Sequence, residues 1–154
     1  MIPVLLPLLL IVQAQAGPSI TPKSPYVLTP VEAVIAAADV APAAVRGVIE
    51  MRVRGSGRAG GKIYLNSEQD YRDQRSVSVA IQPMAFTALR KRFGNWPDKA
   101  LAGKTIRVRG YVRRVRIDFL ASNGRASGKY YYQTHIIVKR ADQITLVTNG
   151  SREN

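Results

Sequence analysis

Cationic and aromatic side chains are interleaved through two stretches of this sequence, and that mixture suits one kind of chemistry. The first stretch holds Arg58, Lys62, Tyr64, Tyr71, Arg72 and Arg75; the second holds Arg125, Lys129 and Tyr131. Lysine and arginine neutralise phosphates, and tyrosine rings stack on unpaired bases at about 1–3 kcal/mol per base. The same residue types have a structural use as well. Tyrosine is common in strands, and arginine on a sheet edge discourages pairing with other molecules. Arg107, Arg109, Arg114 and Arg116 form a further outward row of the second kind.

Other chemistries find less support. His135 is the only histidine, on the outward parity of its segment, with no activated nucleophile signalled beside it. It reads as a surface histidine. Glu68, Asp70 and Asp73 could offer oxygens to a hard cation, but Arg72 and Arg75 lie among them and compete for the carboxylates. The loop therefore reads as internally paired, with no metal. There is no cysteine, which removes disulfides, thiolate ligands and a cysteine nucleophile. Phosphate-binding glycine loops and paired-histidine motifs are missing too. No catalytic residue and no cofactor is expected. Asn149-Gly150-Ser151 matches a glycosylation acceptor but lies in a polar tail.

The charge balance points the same way as the basic-aromatic stretches. Lys and Arg number 23 against 10 Asp and Glu, a formal +13. Such an excess favours anionic partners: nucleic acid, anionic lipid head groups or acidic polysaccharide.

The elements that must position these side chains begin after a leader. Residues 1–16 carry no charged side chain, run apolar from Ile2 to Val12 and end in Ala14-Gln15-Ala16. This reads as a secretory signal peptide cut after Ala16, although no Lys or Arg precedes the apolar run. Residues 17–28 follow as a Pro- and Ser-rich linker, residues 29–147 as the domain and residues 148–154 as a tail. The mature chain is expected to be periplasmic or secreted, with no membrane span.

Within the domain, Thr29-Pro30-Val31-Glu32 predicts a capped helix start, with the helix ending near Asp39. From Val45 the period becomes two, with Ile49, Met51 and Val53 on one face. Residues 55–61 are glycine-rich and read as a flexible connection. Ile63 and Leu65, then Val77, Val79 and Ile81, mark two more half-buried strands. Pro83 opens a helix whose stripe is Phe86, Leu89 and Phe93, and Gly94 ends it. A long strand follows over residues 105–119. Its apolar residues are even-numbered to Val112 and odd-numbered from Val115. A regular strand cannot change parity, which predicts a bulge at Arg113-Arg114 with both sets facing the core. Residues 129–140 return as a strand, and Ile144 to Val147 extends the sheet.

Three strands, a helix and two strands are the order of the OB-fold, a small five-stranded Greek-key barrel. A plain antiparallel sheet packed on two helices is the alternative. OB-folds take chain-like ligands across strands two and three, between the loops joining strands one and two and strands four and five. The nine basic and aromatic residues named first fall in or beside those regions.

Several phrases carry a family resemblance: Tyr64-Leu65-Asn66, then Asp70-Tyr71-Arg72 with Gln74, then Leu101-Ala102-Gly103-Lys104 running on to Gly110, and Ala141-Asp142-Gln143-Ile144. The chain resembles OB-fold-like domains of bacterial exported proteins, similar to the non-catalytic OB domains associated with secreted thermonuclease-type nucleases. The resemblance spans about Val45 to Val147 and implies an OB-like fold. Ser67-Glu68-Gln69 departs from that pattern, in which glycines follow Leu-Asn. The Asp-Gly-Asp-Thr-like metal loop of the nucleases is missing, so their activity does not carry over.

The sequence thus predicts a non-enzymatic exported domain that binds an anionic polymer, single-stranded DNA or RNA first. A cell-envelope protein-interaction domain with no nucleic-acid site is the second reading. An enzyme without recognisable motifs is the third.

Overall fold

The computed structural model describes residues 26–148. The leader, most of the linker and nearly all of the tail lie outside the described residues.

Strand content dominates. Eight strands form one mixed sheet, where five were expected: β1 (Val27–Leu28), β2 (Ala44–Arg52), β3 (Gly55–Ala59), β4 (Lys62–Asn66), β5 (Val77–Ile81), β6 (Thr105–Leu120), β7 (Ala126–Val138) and β8 (Ile144–Leu146). The helices are α1 (Pro30–Asp39), α2 (Phe86–Phe93) and α3 (Pro97–Leu101), with a 3₁₀ turn over Pro83–Ala85. The sheet order is β1-β2-β6-β7-β5-β4-β3, with β8 also on β6. Most pairs are antiparallel, but β5 runs parallel to β7 and β1 to β2. The plain antiparallel alternative is therefore excluded.

Local signals explain most elements. Thr29 caps α1 by accepting the Glu32 amide, and the Glu32 carboxylate accepts the Thr29 amide at 2.8 Å. Both donors would otherwise lack a partner at the helix start. The inward faces of β2, β4, β5, β6 and β7 supply Ile49, Leu65, Val79, Ile106 and Ile136, all 0% exposed. Burying a side chain of this size stabilises by roughly 1.5–3 kcal/mol. Ala33 and Ala37 of α1 and Leu89 of α2 join the same core. Gly94 ends α2 at φ 90°, a conformation glycine adopts without strain. Arg92 anchors that end by donating to the carbonyls of Ala141 and Ile144.

Four expectations are corrected. Residues 55–59 are strand β3, not a flexible connection, because the backbone of this glycine-rich segment pairs along β4 from Gly55↔Asn66 to Ala59↔Lys62. Val27 and Leu28, assigned to the linker, pair with Val48 and Ile49. α3 had no expectation at all. Most consequentially, β6 has no bulge at Arg113-Arg114. Val112, Arg113 and Arg114 pair in unbroken register with Ile136, His135 and Thr134, and the register shifts only between Asp118 and Leu120. The apolar parity changes because β6 outruns the core. Beyond Arg113 it loses β2 as a neighbour and continues with β7 alone. Val115 and Ile117 therefore point away from the Val112 side and are only half-buried. For the same reason Arg114 and Arg116 lie on the face opposite Arg107 and Arg109, so the four make no single row.

Candidate nucleic-acid interface

The outer face of β4, β5 and β7 carries the side chains left over once the core is filled. Tyr64 and Asn66 alternate with Ile63 and Leu65; Ser78 and Ala80 alternate with Val77, Val79 and Ile81; Gln133 and His135 alternate with Thr134 and Ile136. β3 rises along one side, and the loop of residues 67–76 folds over the end. A groove of about 430 Å³ lies between them, lined by residues including Arg58, Tyr64, Asn66, Tyr71, Ser78 and Gln133.

The loop that closes the groove is firmly tied. The Ser67 amide donates to the Val77 carbonyl at 3.0 Å, and the Val77 amide to Ser67 Oγ at 2.9 Å. Asp70 and Asp73 accept the amides of Arg72 and Arg75, each at 2.9 Å. Gly55 of β3 permits close approach: a Cβ there would meet the Glu68 carbonyl oxygen at 2.9 Å. The loop so held brings Tyr71 to the same groove that Tyr64 lines from the sheet.

A chain of polar side chains runs along β7. Gln133 Nε2 donates to the Tyr131 hydroxyl at 2.7 Å, and Gln133 Oε1 lies 2.6 Å from His135 Nε2. An amide oxygen accepts, so His135 carries its proton on Nε2. Its ring centroid is 6.1 Å from that of Tyr64. His135 is half-buried rather than freely exposed. Burial and the Lys62 ammonium push its pKa below 6.5.

The residues expected at the site divide into three groups. Arg58, Tyr64 and Tyr71 line the groove, and Lys62 sits within electrostatic reach of His135. Arg72 is at its rim, with its guanidinium 5.1 Å from the Tyr71 ring centre. Arg58 is already engaged, donating to Asp98 at 2.7 Å and lying 4.9 Å from the Trp96 ring centre. Arg75 is engaged too, with Asp73, whose carboxyl it holds down to about 2. Tyr131 extends the row that passes through Gln133. Arg125 and Lys129 are elsewhere, on the β6–β7 hairpin. Arg125 is ten residues along the chain from His135, about 34 Å if that run is fully extended.

Asn66, Ser78, Gln133 and Arg113 were not singled out. Gln133 shares parity with Tyr131 and His135, a signal that was present. Arg113 faces His135 directly across β6 and β7, a pairing no local pattern announces.

Among the described residues, no three of His, Asp and Glu gather closely enough to hold a metal ion, and no helix is long and apolar enough to cross a membrane.

No family model matches the chain, and no curated protein does. Among solved structures it is similar to a crystal structure described provisionally as an aspartyl-tRNA synthetase from Leishmania major Friedlin. The identity is 16% and the TM-score 0.44, over 92% of this chain and 24% of that one. The chain thus spans about a quarter of that protein's length.

Proposed function

We propose that this chain is an exported, non-catalytic OB-like domain that binds single-stranded nucleic acid in the groove between Tyr64 and Tyr71. The fold reading takes β2 and β3 as one bent first strand. They stand at opposite ends of the main β2-to-β3 run of the sheet, yet only Val53 and Arg54 separate them. Val53 donates to the Lys104 carbonyl beside β6, and Arg54 to the Asn66 carbonyl on β4, both at 2.9 Å. Each bond extends a pairing already made, β2 with β6 and β3 with β4, and this continuity supports reading the order as a five-stranded barrel of β2/β3, β4, β5, β6 and β7. The parallel β5–β7 pair and the helix between β5 and β6 fit the same topology.

The functional reading is carried by one observation: two tyrosines, Arg58 and the amide and hydroxyl groups of Asn66, Ser78 and Gln133 share a groove. Rings stack on bases of any sequence, while Lys62, Arg72 and Arg113 neutralise the backbone.

Fluorescence anisotropy with labelled single-stranded oligonucleotides tests the reading. Tyr64→Ala and Tyr71→Ala should each weaken binding about 5- to 150-fold, the equivalent of about 1–3 kcal/mol per stacked base. Heparin bound as tightly as oligonucleotide, with neither tyrosine mattering, would leave a protein-interaction role in the envelope as the better account.

A further inference from the structure

We infer that the β6–β7 hairpin is an arm for double-stranded nucleic acid, so that the protein's preferred ligand is a duplex with a single-stranded tail. The duplex arm rests on the groove reading only in naming nucleic acid as the polyanion, whereas the preference for a single-stranded tail rests on that reading throughout.

From Arg114 to Leu120 on β6 and from Ala126 to Gln133 on β7, the two strands pair with each other and with nothing else. Seven residues of β6 at about 3.4 Å each make an arm about 24 Å long. A two-stranded ribbon of that kind fits the major groove of B-DNA, about 12 Å wide. Over its length the arm carries Arg114, Arg116, Arg125 and Lys129 against one acid, Asp118.

The side chains on one face are arranged for phosphate rather than for bases. The Arg114 guanidinium lies 3.8 Å from the Tyr132 ring centre, and that of Arg116 lies 4.1 Å from the Tyr130 ring centre. Tyr130 and Tyr132 also meet edge to face, with centroids 5.6 Å apart. Each ring is therefore occupied in holding an arginine. A stacked guanidinium uses its flat face on the ring and keeps its N–H donors in its own plane; those of Arg116 reach Asp118, at 2.9 Å from Nε and 2.8 Å from Nη2, whereas those of Arg114 are left for a phosphate. Arg114 has no carboxylate partner among the described residues. A cationic face with occupied rings suits the denser charge of a duplex, whereas the groove suits unpaired bases. Tyr131 and Gln133 lie on the other face of β7 and connect the arm to the groove without a break in the strand.

The experiment compares four labelled DNAs on the full chain: a single strand, a blunt duplex, that duplex with the strand as its tail, and the strand joined to an abasic spacer. The tailed duplex should bind about tenfold more tightly than the strand alone or with the spacer. The pair Arg114→Ala and Arg116→Ala should remove that gain and leave single-strand binding unchanged. Thermal melting checks that the double variant folds, and these residues lie outside the core. If the strand binds but the duplex adds nothing, or the gain survives the double variant, the arm has no duplex site. If the strand fails to bind but blunt duplex binds through Arg114 and Arg116, the arm stands, while the groove reading and the preference for a tail both fall. Anionic vesicles that bind through the same two arginines more tightly than duplex would overturn the inference in favour of a membrane surface.

Discussion

Asp98 accepts the Arg58 guanidinium at 2.7 Å although forty residues separate the two in sequence, and Asp98 is only 4% exposed. The contact ties β3, one wall of the groove, to the start of α3. Arg58 also flanks Trp96, so this groove-lining residue is at the same time a strut.

That strut should weaken in acid. The hydrogen bond from Arg58 holds the Asp98 carboxyl below 3.8. A folded-state pKa below the unfolded one gives stability that is complete above the unfolded value and lost as pH falls through the folded one. Wild-type protein should therefore lose more stability than Asp98→Asn between about pH 4 and pH 2. Denaturant midpoints measured across that range decide it, and parallel curves for the two proteins would refute the claim.

His135 should add a second pH dependence of the same sign in a different window. Its pKa is lowered by burial first and by Lys62 second, from 6.5. The unfolded chain takes the proton more readily, so stability falls as pH drops below about 6.5 and levels off below the folded pKa. His135→Gln removes the titration. The variant's melting temperature should change less than the wild type's between pH 7.5 and pH 5.

What the sequence made legible was local. Thr29 and Glu32 are three residues apart and define a cap by themselves. Alternation from Ile49 to Met51 needs only a neighbouring strand of any origin. β3 was hidden because Gly55, Ser56 and Gly57 have no apolar face to alternate, and their pairing is decided by β4. The Val112-to-Val115 parity change was real, but two causes produce it. A bulge keeps both sets in the core, whereas a strand that outruns its core lets the second set turn outward. Only the length of β2, which stops opposite Arg113, chooses between them. Of the site, Tyr64 and Tyr71 were readable because Tyr71 follows Tyr64 by only seven positions, on the loop that leaves β4. Asp98 and Arg113 were not, since their partners are set by register and by helix docking.

Gly55 and Gly57 offer a paired test of how the groove is closed. A Cβ on Gly55 meets backbone oxygens of Glu68 and Gln69 at 2.9 and 3.0 Å, while one on Gly57 meets nothing within 4 Å. Backbone cannot swing aside as a side chain does. Gly55→Ala should cost about 1–3 kcal/mol and displace the loop carrying Tyr71. Gly57→Ala should be neutral or stabilising by under about 1 kcal/mol. Urea denaturation measures both, and equal effects would mean the loop does not rest on Gly55.

Lys62 connects the electrostatics of the groove to the titration of His135, and a single substitution should move both. In Lys62→Ala the nearby positive charge is gone, so less opposes protonation of His135. The His135 pKa should rise toward 6.5, though burial keeps it below that value. Proton NMR of the one imidazole in the chain reads this directly. If Lys62 also meets a phosphate of the bound strand, its loss removes one released counterion. The log–log dependence of single-strand affinity on salt should then flatten by about 0.7. Tyr64→Ala is the contrast, because losing a ring should weaken binding with the slope unchanged. A Lys62 variant that shifts His135 but leaves the salt slope intact would place the ammonium beside the histidine and away from the strand. The cationic side of the groove would then fall to Arg72 and Arg113, whose single substitutions should each flatten the slope instead.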